Sequence, residues 1–412
     1  MGGRTRPRLL LLIPTTTYRA GAFMAAAESL GIDLTVASEQ DSAFSAEEPD
    51  KLLTLPFGNP ERAAQLIRQF DSRHPVSAVF GIDDRTAIVA AHGAAALGLP
   101  HNDIPAAEAA GNKFRQRTIM ARAGVPVPPF ERHLFSRLEG PVPRAVPFPA
   151  VLKPVTLSAS RGVIRVNDPE ECAAGLERLR HILAQASPRG PGEFLVESYV
   201  PGPEFALEGT LVDGVLHSLA LFDKPDPLTG PHFAETIYLT PSRASPAVRQ
   251  ALSDTAQQAC RALGLTRGPV HIELRHNARG PWLIELAARP IGGRCGQVLR
   301  FGENGSQSLE TVLLGQALGR WHQPPAREQG ASGVMMIPVP RAGEFRELRG
   351  LADARAVPGI TDVKVTVHPG ARVRPLPEES RYLGFVFARA GDPAEVERAI
   401  RAGWSLLEVV IV

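Results

Sequence analysis

Two glutamates in one short segment offer the strongest chemistry in this sequence. Residues 270–287 read as two apolar strands joined by a polar turn at 276–281. Glu273 and Glu285 lie equally far from residue 279, the predicted centre of the turn, so we expect them to be cross-strand partners with Cβ atoms roughly 4.5–5.5 Å apart. Two carboxylates at about 4 Å repel by about 4 kcal/mol at an effective dielectric of 20, so such a pair needs a cation or a shared proton. We interpret the pair as a Mg²⁺ site, and two exposed glutamates that splay apart are the alternative.

Three cationic side chains accompany the carboxylates. Arg289 follows the second strand, where a guanidinium suits a transferring phosphoryl group or a developing oxyanion, and a salt bridge to a glutamate is compatible with this. Lys153 ends an apolar strand before the small-residue loop 156–162, whose backbone N–H groups can cover phosphates. An ordinary surface loop is the alternative. Lys113 lies at a predicted helix start, which the helix dipole disfavours, and this indicates a ligand weakly.

Two further segments can line a pocket. Residues 197–204 join two strands as a hinge that can present backbone groups to an adenine edge and an acid to a ribose, although alone they read as a turn. The loop 224–238 is rich in proline and glycine and can fold over the site as a lid. Within it, Glu235 can hold a substrate ammonium, and His232 and Tyr238 can line the pocket. A solvated loop is the competing interpretation.

Other candidates each have a purely structural alternative. Asp83 and Asp84 end a predicted parallel strand, where α/β sheets commonly bind ligands, and an N-cap role for Asp84 competes with this. Arg294, beyond a glycine pair, can bind a substrate carboxylate. His271 shares a strand face with Glu273 and either supports the metal site or belongs to the core.

The composition is that of an ordinary globular protein. The 412 residues are 44% apolar and 21% charged with a net charge of +2, which predicts two to four domains and does not resemble a nucleic-acid binder. Cys172, Cys260 and Cys295 lack C-x-x-C spacing, so we expect neither a zinc site nor disulfides, and a cytoplasmic location. Cys295 fits a small buried residue better than a nucleophile. The apolar run 9–13 is too short for a signal peptide, and no stretch approaches the length of a membrane span.

The elements that must position these residues fall into three regions. Strand–helix alternation predicts a parallel α/β domain at 1–110. Asn112 is a good N-cap for the helix that opens the second region, 111–322, in which we expect a nucleotide subdomain at about 125–202. Short β-like runs and one helix predict a small α+β domain at 323–412.

Together, and in this order, the motifs resemble the ATP-grasp superfamily over about residues 8–322. The resemblance implies an ATP-grasp fold between the two smaller domains, with ATP and Mg²⁺, or Mn²⁺ in its place, as cofactors. It also implies a role for each motif: phosphate contacts from Lys113 and Lys153, a mobile flap that includes Ser158, Ser160 and Gly162, an adenine hinge formed by Glu197, Ser198, Tyr199 and Val200, a ribose acid Glu204, metal-binding acids Glu273 and Glu285, and a catalytic arginine Arg289.

Within the superfamily, the segments 268–273 and 285–293 and the C-terminal layout are similar to the L-amino-acid ligases. The sequence departs from many ATP-grasp enzymes at Ala287, where Asn commonly supplies a third metal ligand. The resemblance implies an ADP-forming ligase that joins a carboxylate to an amine through an acyl phosphate. Its implied partners are small amino-acid-like molecules, without nucleic acid or membrane, and a homodimer is left open. Carboxylation through carboxyphosphate and non-catalytic nucleotide binding are the alternatives.

Overall fold

A parallel sheet with covering helices opens the chain in the computed structural model. The described residues are 6–42, 47–138, 146–186, 190 and 192–412. The first elements are β1 (Arg8–Leu12), α1 (Ala20–Leu30), β2 (Asp33–Ser38), β3 (Leu52–Thr54), α2 (Pro60–Asp71), β4 (Ala78–Gly81) and α3 (Asp84–Ala96). The strand order is β3–β2–β1–β4, all parallel, which confirms the predicted α/β unit. The apolar run that imitates a signal peptide forms β1, whose leucines are buried on both faces of the sheet.

An antiparallel sheet backed by one long helix follows. The next elements are α4 (Ile104–Ala110), α5 (Lys113–Arg122), β5 (Phe130–Leu134), β6 (Ala150–Pro154), β7 (Ile164–Val166), α6 (Pro169–Ala186) and β8 (Glu193–Ser198). The sheet has the order β5–β8–β6–β7. Asn112 caps α5, as predicted, by accepting a hydrogen bond from the Arg115 N–H. Gly175, a poor helix former, lets α6 approach the sheet closely, because a Cβ there would lie 3.0 Å from Leu152.

A long antiparallel sheet carries most of the remaining chain. Its region contains β9 (Glu204–Val212), β10 (Val215–Lys224), β11 (Ile237–Thr240), α7 (Pro246–Leu263), β12 (Gly268–Asn277), β13 (Gly280–Ala287), β14 (Arg300–Phe301), β15 (Gln307–Ser308), α8 (Leu309–Ala317) and β16 (Ala331–Ile337). The chain ends with β17 (Gly343–Arg349), α9 (Leu351–Ala356), β18 (Ile360–Val365), β19 (Arg372–Val373), β20 (Gly384–Ala390), α10 (Pro393–Ser405) and β21 (Glu408–Ile411).

The eight strands of this sheet join the central and C-terminal parts of the chain. Their order is β13–β12–β9–β10–β11–β16–β20–β18, so β16 pairs with β11 across the boundary predicted at residue 323. That boundary stays a prediction. Helix α7 packs its apolar face against β9, β12 and β13, which fixes the outer strands of the sheet from behind. In the described residues, no helix combines the length and the apolar character that a membrane crossing requires.

Candidate active site

One face of the long sheet forms the floor of a cavity of about 790 Å³. Along β12, Ile272 and Leu274 point into the core beneath the sheet, whereas His271, Glu273 and Arg275 line the cavity. This alternation follows from the two-residue period of a strand. The floor is therefore a charged surface held by an apolar layer.

The predicted pairing of the two acids is confirmed, although it arises differently from the prediction. Glu273 and Glu285 are cross-strand partners. The strands extend further into the turn than expected, with Asn277 opposite Gly280, and this register alone would place Glu273 opposite Ile284. A bulge after Glu273 adds one residue to β13 and restores the pair. The predicted turn centre, residue 279, thus differs by half a residue from the observed centre between residues 278 and 279, and the bulge compensates for this difference.

Each acid of the pair contacts a lysine. Lys113 Nζ lies 3.0 Å from Glu285 Oε1 and donates to the Leu157 carbonyl at 2.7 Å. Lys224 Nζ lies 2.8 Å from Glu273 Oε1. The charge repulsion expected between the two carboxylates is therefore offset by ammonium groups in this structure, and both acids face the cavity.

Lys224 occupies the centre of an acidic cluster. Its Nζ lies 2.7 Å from Glu204 Oε1 and 2.7 Å from Glu235 Oε1, in addition to its contact with Glu273. The three carboxylates approach within 4.8 Å of one another, as metal ligands do, but they surround an ammonium. Burial opposes the charge on Lys224, yet the three carboxylates outweigh it and raise its pKa well above the usual value. The sequence analysis did not single out Lys224. Its position at the end of an apolar strand, directly before the predicted lid, could have indicated a site residue.

The side chain of Glu197 is committed to a buried ion pair. Its oxygens lie 2.7 Å from Arg117 Nε and 2.8 Å from Lys153 Nζ. Burial raises the pKa of Glu197, but the two cations outweigh burial and lower it to about 2. In the predicted adenine hinge, the N–H groups of Ser198 and Tyr199 donate to neighbouring backbone carbonyls at 2.9 and 3.0 Å. If Glu197 contacts an adenine, it would therefore do so through its backbone, because its side chain anchors Lys153.

The predicted flap lies over the lysine side of the cavity. Ser158 and Ser160 line the cavity, whereas Gly162 does not and donates its N–H to the Pro377 carbonyl at 2.9 Å. Ala159 and Ser160 adopt φ of 53° and 56°, a region that favours glycine. The flap therefore keeps a conformation suited to glycine at positions where this chain has alanine and serine.

The segment between Lys224 and Ile237 is irregular, as predicted for a lid. Glu235 and Tyr238 line the cavity, and the Tyr238 hydroxyl donates to Glu235 Oε1 at 2.6 Å. His232 does not line the cavity, and its Nε2 lies 3.2 Å from Arg178 NH1. The structure thus brings two of the three lid candidates to the site.

Asp83 and Asp84 both line the cavity, and Asp83 also caps a helix. Asp83 caps α3 by accepting from the Thr86 N–H at 2.7 Å, whereas Asp84 accepts from Arg289 Nε at 3.1 Å. The cap considered as an alternative role for Asp84 is therefore made by its neighbour Asp83, and a ligand role for Asp84 stays a prediction. Burial works against the charge of Arg289, but Asp84, Glu285 and Glu208 raise its pKa above the usual value.

The N-terminal loop at the same sheet edge also reaches the cavity, and it was missed. Thr16, Thr17 and Tyr18 follow β1, which pairs with β4, and they line the cavity beside Asp83 and Asp84. The rule that placed the aspartates at the carboxyl end of a parallel strand applies equally to this loop.

Arg294 is not among the residues that line the cavity. Its guanidinium lies 4.8 Å from the Tyr18 ring centre and 5.5 Å from that of Phe385, and both rings line the cavity. Arg294 therefore packs against two rings of the cavity wall, and its binding of a substrate carboxylate stays a prediction. Cys295 does line the cavity, and burial raises the pKa of its thiol well above the usual value, which agrees with the expectation that it is no nucleophile.

His271 lies between two carboxylates. Its Nδ1 is 3.6 Å from Glu208 Oε2, and its Nε2 is 3.7 Å from Glu273 Oε1. Burial lowers the pKa of His271, but the two glutamates outweigh burial and raise it. Glu208 is fully buried and accepts from the Ile291 N–H at 3.0 Å. Sequence reasoning did not single out Glu208, although acids at 204 and 208 interrupt one face of an apolar strand.

Family models match three parts of the chain. One described as an ATP-grasp domain matches residues 146–298, and one described as an ATP-grasp N-terminal domain matches 24–101. A third, described as L-amino acid ligase C-terminal domain 2, matches 335–412. The matches occur in the order that the sequence motifs predict.

The chain is also similar to individual proteins and to a solved structure. The chain is 30% identical to an uncharacterized protein, y4rH, of Sinorhizobium fredii over 318 residues, 75% of this chain and 64% of that protein. It is 34% identical to carnosine synthase 1 of Gallus gallus over 220 residues, 50% of this chain and 23% of that protein. It therefore spans less than two thirds of either relative. The crystal structure of an L-amino acid ligase from Bacillus licheniformis has a TM-score of 0.82 at 26% identity, covering 99% of this chain and 100% of that one.

Proposed function

Since the chain belongs to the ATP-grasp superfamily, we propose that it is an ADP-forming ligase that joins a carboxylate to an amine through an acyl phosphate. The observation that carries the proposal is the pair Glu273 and Glu285, which faces a cavity lined by Lys113, Lys153 and Arg289. This set supplies positive charge for phosphates and hard oxygen ligands for a divalent cation. The likeness to an L-amino acid ligase over 99% of the chain supports amino acids or similar molecules as substrates.

Nucleotide phosphates would enter beneath the flap. Lys113 and Lys153 are anchored by Glu285 and Glu197, so their ammonium groups are already held at the cavity wall. Ser158 and Ser160 line the same side and can donate to phosphate oxygens. The adenine would lie along the hinge 198–200, with Glu204 near the ribose.

The carboxylate pair fits a Mg²⁺ ion, or Mn²⁺ in its place, because its oxygens are hard ligands on paired strands and face the cavity. Glu273 and Glu285 would hold the ion. When bound, it would neutralise charge on the phosphates of the nucleotide. Ala287 contributes no polar atom on this face, so the strand supplies one ligand fewer than a strand with asparagine there.

The chemistry would run in two steps. A substrate carboxylate oxygen attacks the γ-phosphorus of ATP, the bond to the β-phosphate oxygen breaks, and ADP leaves. The neutral amine then attacks the acyl carbon, the C–O bond to phosphate breaks, and inorganic phosphate departs with the proton that the amine loses. Arg289 is a donor for the tetrahedral oxyanion, held by Asp84 at 3.1 Å. Glu235, on the lid, is placed to bind a substrate ammonium, with the Tyr238 hydroxyl fixing its orientation.

The test is the identity of the nucleotide product. Incubation with ATP, Mg²⁺ and a mixture of L-amino acids is expected to release ADP and inorganic phosphate in an amino-acid-dependent manner, with an amide product detected by mass spectrometry. AMP and pyrophosphate as products would contradict the acyl-phosphate route. ATP hydrolysis that depends on bicarbonate instead of amino acids would favour carboxylation. Nucleotide binding without turnover would indicate a non-catalytic protein.

A further inference from the structure

A row of three paired residues crosses the cavity floor beside the two acids. Ala287 on β13 pairs with His271 on β12, and His271 pairs with Glu208 on β9. The next row carries the pair Glu285 and Glu273. Because the side chain of Ala287 has no polar atom, a ligand from the first row must come from His271 or from Glu208. Glu208 is fully buried, whereas His271 lines the cavity.

The imidazole of His271 is oriented as metal-bound histidines usually are. Its Nε2 faces Glu273 Oε1 at 3.7 Å, and its Nδ1 faces Glu208 Oε2 at 3.6 Å. Metal-ligating histidines generally direct their other ring nitrogen to a carboxylate or a carbonyl. Glu208 occupies that supporting position and is itself fixed by the Ile291 N–H at 3.0 Å. The 3.6 Å between Nδ1 and Glu208 Oε2 is longer than a hydrogen bond, so Glu208 orients the ring by charge attraction.

The cations that now neutralise the two acids have other partners available when a nucleotide binds. Lys224 shares its ammonium among three carboxylates, and Lys113 also bonds to the Leu157 carbonyl. Phosphate oxygens in the cavity can attract Lys113, which lines it, and Lys224 keeps Glu204 and Glu235 as partners when Glu273 is released. Glu273 and Glu285 can then exchange an ammonium for a divalent ion without leaving a buried charge unpaired.

From this geometry we propose that His271 binds the divalent metal through Nε2, in place of the oxygen ligand that Ala287 does not supply. The inference rests on the proposed function, because it assumes a nucleotide-associated ion at Glu273 and Glu285. An imidazole nitrogen suits Mn²⁺ and later transition ions better than it suits Mg²⁺. His271 therefore increases the preference of the site for Mn²⁺ over Mg²⁺ in the presence of ADP.

The direct test is pulsed EPR of the complex of the enzyme with Mn²⁺ and ADP. A ¹⁴N coupling from an imidazole is expected, and it should become a ¹⁵N coupling when only the histidines carry ¹⁵N. This comparison needs no variant, so it does not depend on the folding of a mutant. Absence of a histidine nitrogen coupling while Mn²⁺ and ADP are bound would overturn the inference.

Variants assign the signal to one residue. His271→Ala should abolish the coupling and weaken Mn²⁺ binding at least about 10-fold. His276→Ala is the matched control, because His276 lies on the same strand, does not line the cavity, and should leave the coupling intact. Ala287→Asn added to His271→Ala should recover ion binding without the histidine nitrogen coupling and reduce the preference for Mn²⁺. Persistence of the coupling in His271→Ala would contradict the assignment.

Failure of this inference can be distinguished from failure of the proposed function. If the enzyme binds Mn²⁺ and ADP and releases ADP in response to amino acids, but shows no imidazole coupling, only the role of His271 is wrong. If neither ion nor ADP binds, the proposed ligase and the role of His271 both fail.

Discussion

The framework beneath the cavity and the cover above it are held by different kinds of contact. The framework consists of Arg289, just beyond β13, and of the charged residues on β6, β8, β9, β12 and β13, whose backbones lie in continuous ladders. Glu197 and Glu208 in this framework are fully or almost fully buried. The cover consists of the flap 156–162, the lid 225–236 and the C-terminal loop 374–382, and it contains no long ladder.

Few contacts join the C-terminal loop of the cover to the flap and to α6. The Gly162 N–H donates to the Pro377 carbonyl at 2.9 Å, and Arg161 Nε donates to the Glu378 carbonyl at 3.0 Å. The half-exposed Arg178 binds the Glu378 carboxylate through two nitrogens at 2.5 and 2.9 Å. Segments held by a few surface contacts open locally at low cost. We infer that the framework performs the chemistry and that the cover controls entry and release.

The largest expected effect comes from removing a framework acid. Glu285→Gln keeps the shape of the side chain but removes the charge that a divalent ion and Lys113 require. We expect kcat for ADP release to fall roughly 10³-fold, because electrostatic stabilisation at the phosphates is lost. The thermal midpoint should change little, since Glu285 is partly exposed to the cavity. A variant with unchanged turnover would show that this acid does not hold the ion.

The arginine of the framework should rank next. Arg289→Lys keeps the charge but loses the planar fork that bonds to Asp84 and can donate to an oxyanion. We expect kcat to fall roughly 10²-fold while the KM for ATP stays nearly constant. Steady-state kinetics with ATP varied at saturating amino acids separates the two parameters. A rise in KM for ATP at constant kcat would instead make Arg289 a nucleotide-binding residue.

Glu197 tests the stability of the framework, because its pKa is lowered from the ordinary 4.5 to about 2 by Arg117 and Lys153. The folded state binds this proton more weakly than the unfolded state does. The stabilisation is therefore complete above pH 4.5 and is lost as the pH falls from 4.5 towards 2. The shift corresponds to roughly 3 kcal/mol in the free energy of unfolding.

Glu197→Gln should therefore lower the free energy of unfolding at neutral pH by about 3–5 kcal/mol, since two buried cations lose their partner. It should also flatten the dependence of stability on pH between 2 and 4.5. Urea unfolding across this range measures both effects. Glu347→Gln, in an exposed pair with Arg349, is the control and should behave as wild type. A steep pH dependence that survives in Glu197→Gln would assign it to other carboxylates.

The smallest effect should come from the cover. Glu378→Gln breaks the bridge to Arg178, and a partly exposed pair is worth at most about 1 kcal/mol. We expect the KM for ATP to rise severalfold with kcat and the thermal midpoint almost unchanged. Burial raises the pKa of Glu378, but Arg178 outweighs burial and lowers it, so the bridge should persist at neutral pH and weaken only in acid.

A matched control exists on the same helix. Glu177 is next to Arg178 in the sequence and forms an exposed ion pair with Arg180. Glu177→Gln removes this pair and should leave the KM for ATP unchanged. Adding Arg178→Gln to Glu378→Gln should add only the small effect of losing the contact between Arg178 and His232, because the bridge is already broken. A large fall in kcat in Glu378→Gln would show that the cover takes part in the chemical step, in contradiction to the division between framework and cover.

The framework was easier to predict from sequence than its connections. Glu273 and Glu285 lie symmetrically about a turn, and the register of two strands joined by a turn can be predicted from the local spacing of apolar and polar residues. The bulge at Ile284 that completes their pairing left no signal in the spacing. Lys224 reaches Glu204 and Glu273 because β10, β9 and β12 are adjacent, and this adjacency is a property of the topology. Arg117 finds Glu197 across 80 positions of the chain, a contact that no local pattern encodes.

For the cover, the irregular structure could be predicted from the sequence, but the orientation of single side chains could not. Its composition predicted irregular loops, and Pro, Gly and Ser indeed form segments without regular structure at 156–162 and 225–236. Which residue faces inward depends on single contacts: Glu235 lines the cavity, whereas His232 and Arg294 do not, and the substrate roles of Glu235 and Arg294 stay predictions. Arg178 contacts His232, and Arg294 packs against the rings of Tyr18 and Phe385.

The central claim is the transfer of the γ-phosphoryl group to a substrate carboxylate, and an isotope experiment tests it most directly. The enzyme would be incubated with ATP, Mg²⁺ and L-amino acids whose carboxyl groups carry ¹⁸O, and the released phosphate analysed by ³¹P NMR. An acyl phosphate transfers one carboxyl oxygen to inorganic phosphate, so we predict ¹⁸O-labelled phosphate in step with ADP and amide. Amide formation with unlabelled phosphate, or with AMP as the nucleotide product, would contradict the account.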